Sequence, residues 1–278
     1  MGSDRKHALL SASGAARWMA CPPSARLEEP MPDTQSEYAA QGTFMHEFAE
    51  LELQRYLGLP KRKYQKAKER LQAAPFFSKD IEDSVNEYVT FATERIAAAY
   101  ARSSDAMVQV EMRVDFSRWV PGGFGTADLV TVSDGLLEIV DFKGGANVTV
   151  DAVNNPQLRL YALGALAGFD FLFDIEIVRM NICQPRMDSI STDEMTAADL
   201  LEWGEKIVKP RAELADEGQG EFCPGEHCRW CRVQETCRAR AEWMLELAKY
   251  DFQDAPLLTH QEVGDVLNRV DELIRWAN

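Results

Sequence analysis

The stretch "GTADLVTVSDGLLEIVDFKGG", residues 125–145, decides how the chain is read. Two apolar runs meet at Asp134-Gly135, a two-residue turn signal for an antiparallel hairpin. Asp128 stands six residues before the turn and Asp141 six after it, so antiparallel pairing brings the two carboxylates close together. Asp141 and Lys143, two positions apart, share a face of an extended strand. Two carboxylates and an ammonium thus converge just where Gly144 and Gly145 let a bulky substrate approach the backbone. Two hard oxygen ligands suit Mg2+ or Mn2+, and a nearby lysine orients or helps deprotonate a water. A divalent ion that polarises a phosphate and activates that water is the core of metal-assisted phosphodiester hydrolysis. For the Asp-Phe-Lys tripeptide alone, an ion pair at a frayed strand end is the plain alternative.

Working outward, the first 105 residues read as helices. Ser11 or Ser13 is a candidate N-cap for a helix stopped by Pro22 and Pro23. Residues 36–57 form a second helix with Phe44, Phe48 and Leu51 as an apolar stripe, and residues 80–103 a third. "MVQVEMRVDF" (107–116) alternates as a strand ahead of the hairpin, 155–168 returns to helix, and 174–183 is a further strand. Residues 194–216, 234–250 and 260–277 are expected as helices. The chain is therefore expected as one α/β domain over 1–278, with a helical part to 105, a catalytic core over 106–190 and a helical part from 191.

The formal net charge of −15 argues against a generic nucleic-acid coat or a membrane-surface protein, yet leaves room for a local basic strip. No apolar run reaches membrane-spanning length and the first residues lack a signal-peptide pattern, so a cytoplasmic location is expected. Residues 61–70, "KRKYQKAKER", carry six basic residues and one acidic. They read either as a track for a phosphate backbone or as a solvated helix face or mobile loop. Without a base-reading module, recognition of backbone and ends is expected rather than of sequence.

Four of the six cysteines crowd into residues 223–237, which in a reducing compartment points to metal before disulfides. Cys228-x2-Cys231-x5-Cys237 supplies three thiols for one centre, leaving Cys223, His227 or the distant Cys21 as the fourth ligand. Cys183, in an apolar strand, reads as a small buried hydrophobe.

The motifs taken in order resemble the PD-(D/E)XK nuclease superfamily in its RecB-like exonuclease branch. They are Gly42–His46 (G-x-x-x-H), Gly125–Asp128 (G-x-x-D), Asp141–Lys143 (D-x-K) and Gln157–Tyr161 (Q-x-x-x-Y). The resemblance implies a restriction-endonuclease-like core, with His46, Asp128, Asp141 and the Phe142 carbonyl as metal ligands. It implies Lys143 as the catalytic lysine, with Gln157 and Tyr161 near the DNA backbone. From the residues alone, His46 reads as an off-stripe surface or hydrogen-bonded histidine, Gln157 and Tyr161 as packing, and Glu50 as a solvated residue. Glu111 is either a further carboxylate of the site or an exposed strand position.

"ACPPSARLEE" together with C-x2-C-x5-C also resembles the staple of AddB-type helicase–nuclease subunits and of the iron–sulfur exonucleases of CRISPR adaptation. That likeness implies a [4Fe–4S] cluster on Cys21, Cys228, Cys231 and Cys237, closing a loop of about 200 residues. Cys223 becomes a spare, and Trp18 and Trp230 are expected to pack the staple. A zinc site using Cys223 or His227 is the alternative. The whole chain resembles a phage- and prophage-encoded family of this architecture. The resemblance implies a metal-dependent DNA exonuclease in recombination or repair, acting with a strand-annealing protein or helicase and able to form oligomers. A non-catalytic DNA-end-binding or assembly subunit that keeps the fold, and a zinc-stapled protein without a nuclease role, are the competing classes.

Overall fold

The computed structural model describes residues 8–32, 37–169, 171–246 and 258–277. The chain divides into two compact units, Met1–Ser13 with Asp33–Pro210 and Gly14–Pro32 with Arg211–Asn278. The first is a mixed α/β unit around a five-stranded sheet in which every strand neighbours the next in sequence. Its elements run α3 (Glu37–Tyr56), α4 (Lys61–Gln72), α5 (Lys79–Arg102), β1 (Met107–Asp115), β2 (Phe124–Ser133) and β3 (Leu136–Phe142). They continue with α6 (Pro156–Phe169), β4 (Ile177–Gln184), β5 (Ser189–Thr196) and α7 (Ala197–Trp203). The second unit holds α1 (Ala15–Ala20), α2 (Ser24–Glu28), α9 (Arg238–Leu245) and α10 (His260–Ala277), and the unit boundary falls inside α8 (Lys209–Glu217).

β1, β2 and β3 form an antiparallel meander, β3 and β4 run parallel through the α6 crossover, and β5 returns antiparallel. The Asp134-Gly135 hairpin forms as its sequence dictates: Ser133 pairs with Leu136, and Gly135 takes φ of +69°. Phe44, Phe48 and Leu51 of α3 are buried with Val85, Tyr88, Ala92 and Ile96 of α5 in one cluster, which also takes in Leu129, Val140, Phe142 and Cys183. The apolar stripe on α3 is therefore a core face, and Cys183 is the small buried hydrophobe its strand implies. α6 is apolar almost all round and is buried along most of its length.

The fold differs from its sequence reading in three places. Residues 189–196 form an edge strand where the onset of a helix was expected at 194, and the helix proper begins at Ala197. "SISTDEMT" alternates half-buried and exposed positions, but its polar side chains hide that alternation from a hydrophobicity reading. The rest of 194–216 is broken by a π-helical turn, Gly204–Val208, between α7 and α8. Neither Ser11 nor Ser13 caps α1, which starts after Gly14; the two hydroxyls bond to each other at 3.3 Å. The last four residues of the helix expected over 234–250 lie outside the described residues. Among the described residues, no helix is long and apolar enough to cross a membrane.

The Gly135 carbonyl also accepts the N–H groups of Glu176 and Ile177, at 3.0 and 2.9 Å, so this turn seats the incoming β4 as well. Gly135→Ala puts an L-residue in left-handed backbone at a cost of about 1–2 kcal/mol. The urea midpoint should fall accordingly at unchanged m-value; an unaltered midpoint would show that the turn does not hold the sheet.

Candidate metal centre and cysteine cluster

The β2–β3 ladder runs from Ser133↔Leu136 to Leu129↔Val140. Beyond it, β3 continues beside β4 to Phe142↔Cys183, while β2 continues beside β1 to Phe124. Asp128 and Asp141 are the next opposed positions, at the fork where the two strands part. There the Phe142 N–H donates to Asp128 Oδ2 at 2.6 Å, so a side chain replaces the ladder's backbone acceptor. On the other side of β2, the register Val110↔Leu129 and Met112↔Ala127 sets Glu111 opposite Asp128. Three acids therefore occupy one row across three adjacent strands. Glu111 itself takes φ of +50°, left-handed backbone that is uncommon for a side chain of its kind and that clusters at functional sites.

α3 brings His46 to this row: its Nδ1 lies 3.1 Å from Asp128 Oδ1, with 34% of the side chain exposed. Ligand atoms of His46, Glu111 and Asp128 all lie within 4.8 Å of one another. Asp141 is 3% exposed, and its Oδ2 makes no hydrogen bond although Lys143 Nζ stands 3.0 Å away. Lys143 Nζ instead donates to Gln157 Oε1 at 3.0 Å. The Gln157 amide in turn reaches Asp141 Oδ1 at 3.4 Å and the Tyr161 hydroxyl at 3.1 Å. Gly125 makes room for that tyrosine, since a Cβ there would sit 2.7 Å from its ring. The Phe142 side chain is fully buried, stacked on Tyr88 at 4.5 Å and tilted against His46 at 5.4 Å. His46, Gly125, Asp128, Asp141, Phe142, Lys143, Gln157 and Tyr161 thus gather at the fork, while Gly42 lies one turn before His46 on α3.

Glu111 is the member of the row with no motif to announce it; alternation in "MVQVEMRVDF" leaves it as one strand glutamate among exposed neighbours. Glu50 bonds Gln54 at 2.7 Å on its own helix and stays outside the cluster. The 61–70 segment is α4. Lys68 is bound to Glu52 at 2.9 Å and Arg70 to Glu47, while Arg62, Lys63 and Lys66 are exposed on neighbouring turns.

In the second unit, Cys21, Cys228, Cys231 and Cys237 line one concavity, together with Cys223 and His227. Backbone N–H groups point at three of the sulfurs: Gly225 to Cys228 at 3.4 Å, Val233 to Cys231, and Cys223 and Ser24 to Cys21. The two sequence-distant pieces of this unit are also tied by Glu28, which accepts from Arg17 Nη2 at 2.6 Å and from the Arg232 N–H at 2.8 Å. Arg17 donates further to the Trp230 carbonyl at 3.0 Å. Trp18 packs as expected, at 2% exposure, but Trp230 does not: it is 64% exposed with the Arg229 guanidinium 5.0 Å from its ring centre. Trp230 ends the five-residue 3-10 turn Glu226–Trp230, which leaves the indole facing outward.

A model of the family "Protein of unknown function (DUF2800)" matches residues 7–278. The chain belongs to the DUF2800 family. Among solved structures, it is similar to a candidate exonuclease from Eubacterium rectale at 12% identity, with 95% of this chain and 97% of that one covered and a TM-score of 0.42. It is also similar to the protein SSO0001 at 14% identity, with coverages of 86% and 90% and a TM-score of 0.35.

Electrostatics in this DUF2800 chain follow from packing acids into a row. Burial, then the charge of Asp128, pushes Glu111 up to about 7, against the opposing pull of His46. Burial opposes the charged form of His46, but the charge and hydrogen bond of Asp128, then Asp141 and Glu111, outweigh it and raise the imidazole to about 9. Burial also raises Asp141, against the pull of Lys143. Both Glu111 and His46 hold their protons more tightly folded than unfolded. Their favourable contributions are therefore complete below the unfolded values of 4.5 and 6.5, and are lost as pH rises through about 7 and about 9. A cation seated among the acids replaces those protons. Mg2+ should consequently raise the melting temperature more near about pH 9 than near about pH 5.5. Glu111→Gln should flatten the metal-free decline between 4.5 and about 7. A Mg2+ shift independent of pH would mean that the row does not take up the ion.

Proposed function

We propose that the protein is a metal-dependent DNA exonuclease with a PD-(D/E)XK, RecB-like core that hydrolyses phosphodiester bonds at DNA ends. The observation that carries this reading is the acid row Glu111–Asp128–Asp141 with Lys143 and Gln157 hydrogen-bonded at its end. The donor set fits a hard divalent cation: carboxylates, one imidazole, and a buried Asp141 oxygen whose neutralising partner is Lys143. His46, Asp128, Asp141 and the Phe142 carbonyl would hold Mg2+ or Mn2+, with Glu111 as a further ligand or acceptor. Such an ion, when bound, supplies Lewis acidity toward a phosphate oxygen and lowers the pKa of a water.

The chain's own residues do the rest. Gln157 fixes Lys143 from one side and Asp141 from the other, so the ammonium is held where it can neutralise a phosphate oxygen or pass a proton at Nζ. Tyr161 keeps its hydroxyl proton, raised by burial and then by Asp141, and so remains a hydrogen-bond donor. The exposed Arg62, Lys63 and Lys66 of α4 give the backbone of DNA a cationic track without base contacts.

A [4Fe–4S] cluster on Cys21, Cys228, Cys231 and Cys237 completes the proposal, as a structural staple without a part in the chemistry. N–H groups aimed at the sulfurs suit thiolate ligands, which burial otherwise disfavours at Cys231, raised to about 12. Around a single tetrahedral zinc the sulfurs would stand about 3.8 Å apart. Among the described residues no three of these sulfurs come within 4.8 Å of one another, and His227 Nε2 bonds the Cys223 carbonyl at 2.8 Å, which supports a larger cluster over a single zinc. On this reading the protein resects ends for a strand-annealing partner in phage or prophage recombination.

Anaerobically purified protein should digest end-labelled linear DNA in Mn2+, and Lys143→Ala should lower the rate by about 100- to 10,000-fold. If wild type and variant both bind ends and neither cleaves, the protein is a non-catalytic end-binding subunit. Cys21→Ala should lose the brown cluster, which brings about four irons per chain, and melt at lower temperature. A colourless protein that carries zinc would contradict the cluster.

A further inference from the structure

The segment between Lys143 and Gln157 has no regular secondary structure, yet it sets where the lysine and the glutamine meet. Side chains of the β4–β5 hairpin and its turn hold six of its backbone groups, from Gly144 to Asn154. Its last residues also bond within the loop, Val153 N–H to Asp151 and Asn155 N–H to the Ala152 carbonyl. Gln184, at the end of β4 and 1% exposed, spends its whole amide on this loop. Its Nε2 donates to the Gly145 and Val148 carbonyls, both at 2.9 Å, and its Oε1 accepts the Val150 N–H at 3.0 Å. One residue earlier, the Cys183 carbonyl accepts the N–H of Lys143 at 3.0 Å.

Arg186, in the turn that follows β4, donates through Nη1 to the Gly144 carbonyl at 3.3 Å and to Gln41 Oε1 at 3.1 Å. It thereby links the loop to α3, the helix that carries His46. Further along, Ser191 Oγ accepts the Ala152 N–H at 2.9 Å and Asp193 Oδ2 accepts the Asn154 N–H at 3.0 Å. A loop of this length without helix or strand has to have its buried backbone groups satisfied by something, and from Gly144 to Ala152 one hairpin supplies the partners.

We propose that the β4–β5 hairpin is a template for the Lys143–Gln157 loop, with Gln184 and Arg186 as positioning residues of the site. The proposal rests on the nuclease reading for what is positioned, and on the hydrogen bonds alone for how. A buried amide that donates twice and accepts once cannot be replaced by its isostere: Gln184→Glu turns a carboxylate toward two carbonyls. Arg186 is exposed, so Arg186→Ala leaves the core intact and removes only the links to Gly144 and Gln41.

The test measures single-turnover cleavage and binding of an end-labelled oligonucleotide in Mn2+, beside hydrogen exchange of the loop amides. It uses the full chain as wild type, Gln184→Glu, Arg186→Ala and, as a control on exposed β5 surface, Ile190→Thr. Misplacing the lysine should slow cleavage by about 10- to 100-fold in Gln184→Glu, and by less in Arg186→Ala, with DNA affinity unchanged and faster exchange confined to residues 144–152. The control should match wild type. Faster loop exchange with an unchanged cleavage rate in both variants overturns the proposal, as does a loss of cleavage matched by global loss of exchange protection in both. A wild type that cleaves no DNA sinks the nuclease reading instead. The exchange arm then decides the template, upheld by released loop amides in both variants and overturned by unchanged protection.

Discussion

Glu111, Asp128 and Asp141 stand opposite one another across three neighbouring strands, so the charge of Asp128 raises the cost of ionising Glu111 and Asp141 on either side. A sheet interior relieves such crowding with protons, with cationic side chains or with a metal ion. The first two are visible around the row: a glutamate raised to about 7, an imidazole raised to about 9, and a lysine 3.0 Å from Asp141. The fork between β2 and β3 exists because the ladder stops at Leu129↔Val140 and Asp128 turns a side-chain oxygen to the Phe142 N–H. The left-handed backbone at Glu111, which costs about 1–3 kcal/mol, is sustained by paired neighbours on both sides. Local stability has been given up to hold charge where charge is unwelcome, the pattern expected where a protein prepares to receive a cation.

The rest of the first unit keeps that arrangement rigid. Phe142 lies between Tyr88 and His46, so the residue between Asp141 and Lys143 is locked into the α3–α5 core while its neighbours face the charges. In the second unit, the Arg17–Glu28–Arg232 bonds draw two pieces of chain together around the cysteine-lined concavity. Those bonds are few and only partly buried. A ligand held by all four cysteines would constrain the unfolded chain far more strongly than they do.

Much of this was legible in the sequence because it obeys short-range rules. The Asp-Gly turn fixes the hairpin register, the register places Asp128 opposite Asp141, and the strand period places Lys143 beside it. The stripe Phe44–Phe48–Leu51 likewise gives the buried face of α3. What stayed hidden depends on partners far away in sequence. In sequence Glu111 stands open between a carboxylate of the site and an exposed strand position, and only its register with β2 and an unusual φ put it in the row. β5 was missed because Ser189–Thr196 is a polar edge strand, and its side chains serve a loop as much as a core. The outward turn of Trp230 follows from the 3-10 turn Glu226–Trp230, whereas spacing alone suggested packing. The role of Gln184 is likewise invisible until the loop it holds is seen.

The most direct test of the acid row as a cation site is a crystal structure of the protein soaked in Mn2+, with anomalous differences recorded at the manganese edge. The account predicts one dominant peak within bonding distance of Asp128 and Asp141, with His46 or Glu111 completing the set and both protons displaced. A peak elsewhere, or none while His46 Nδ1 keeps its contact with Asp128, would contradict it.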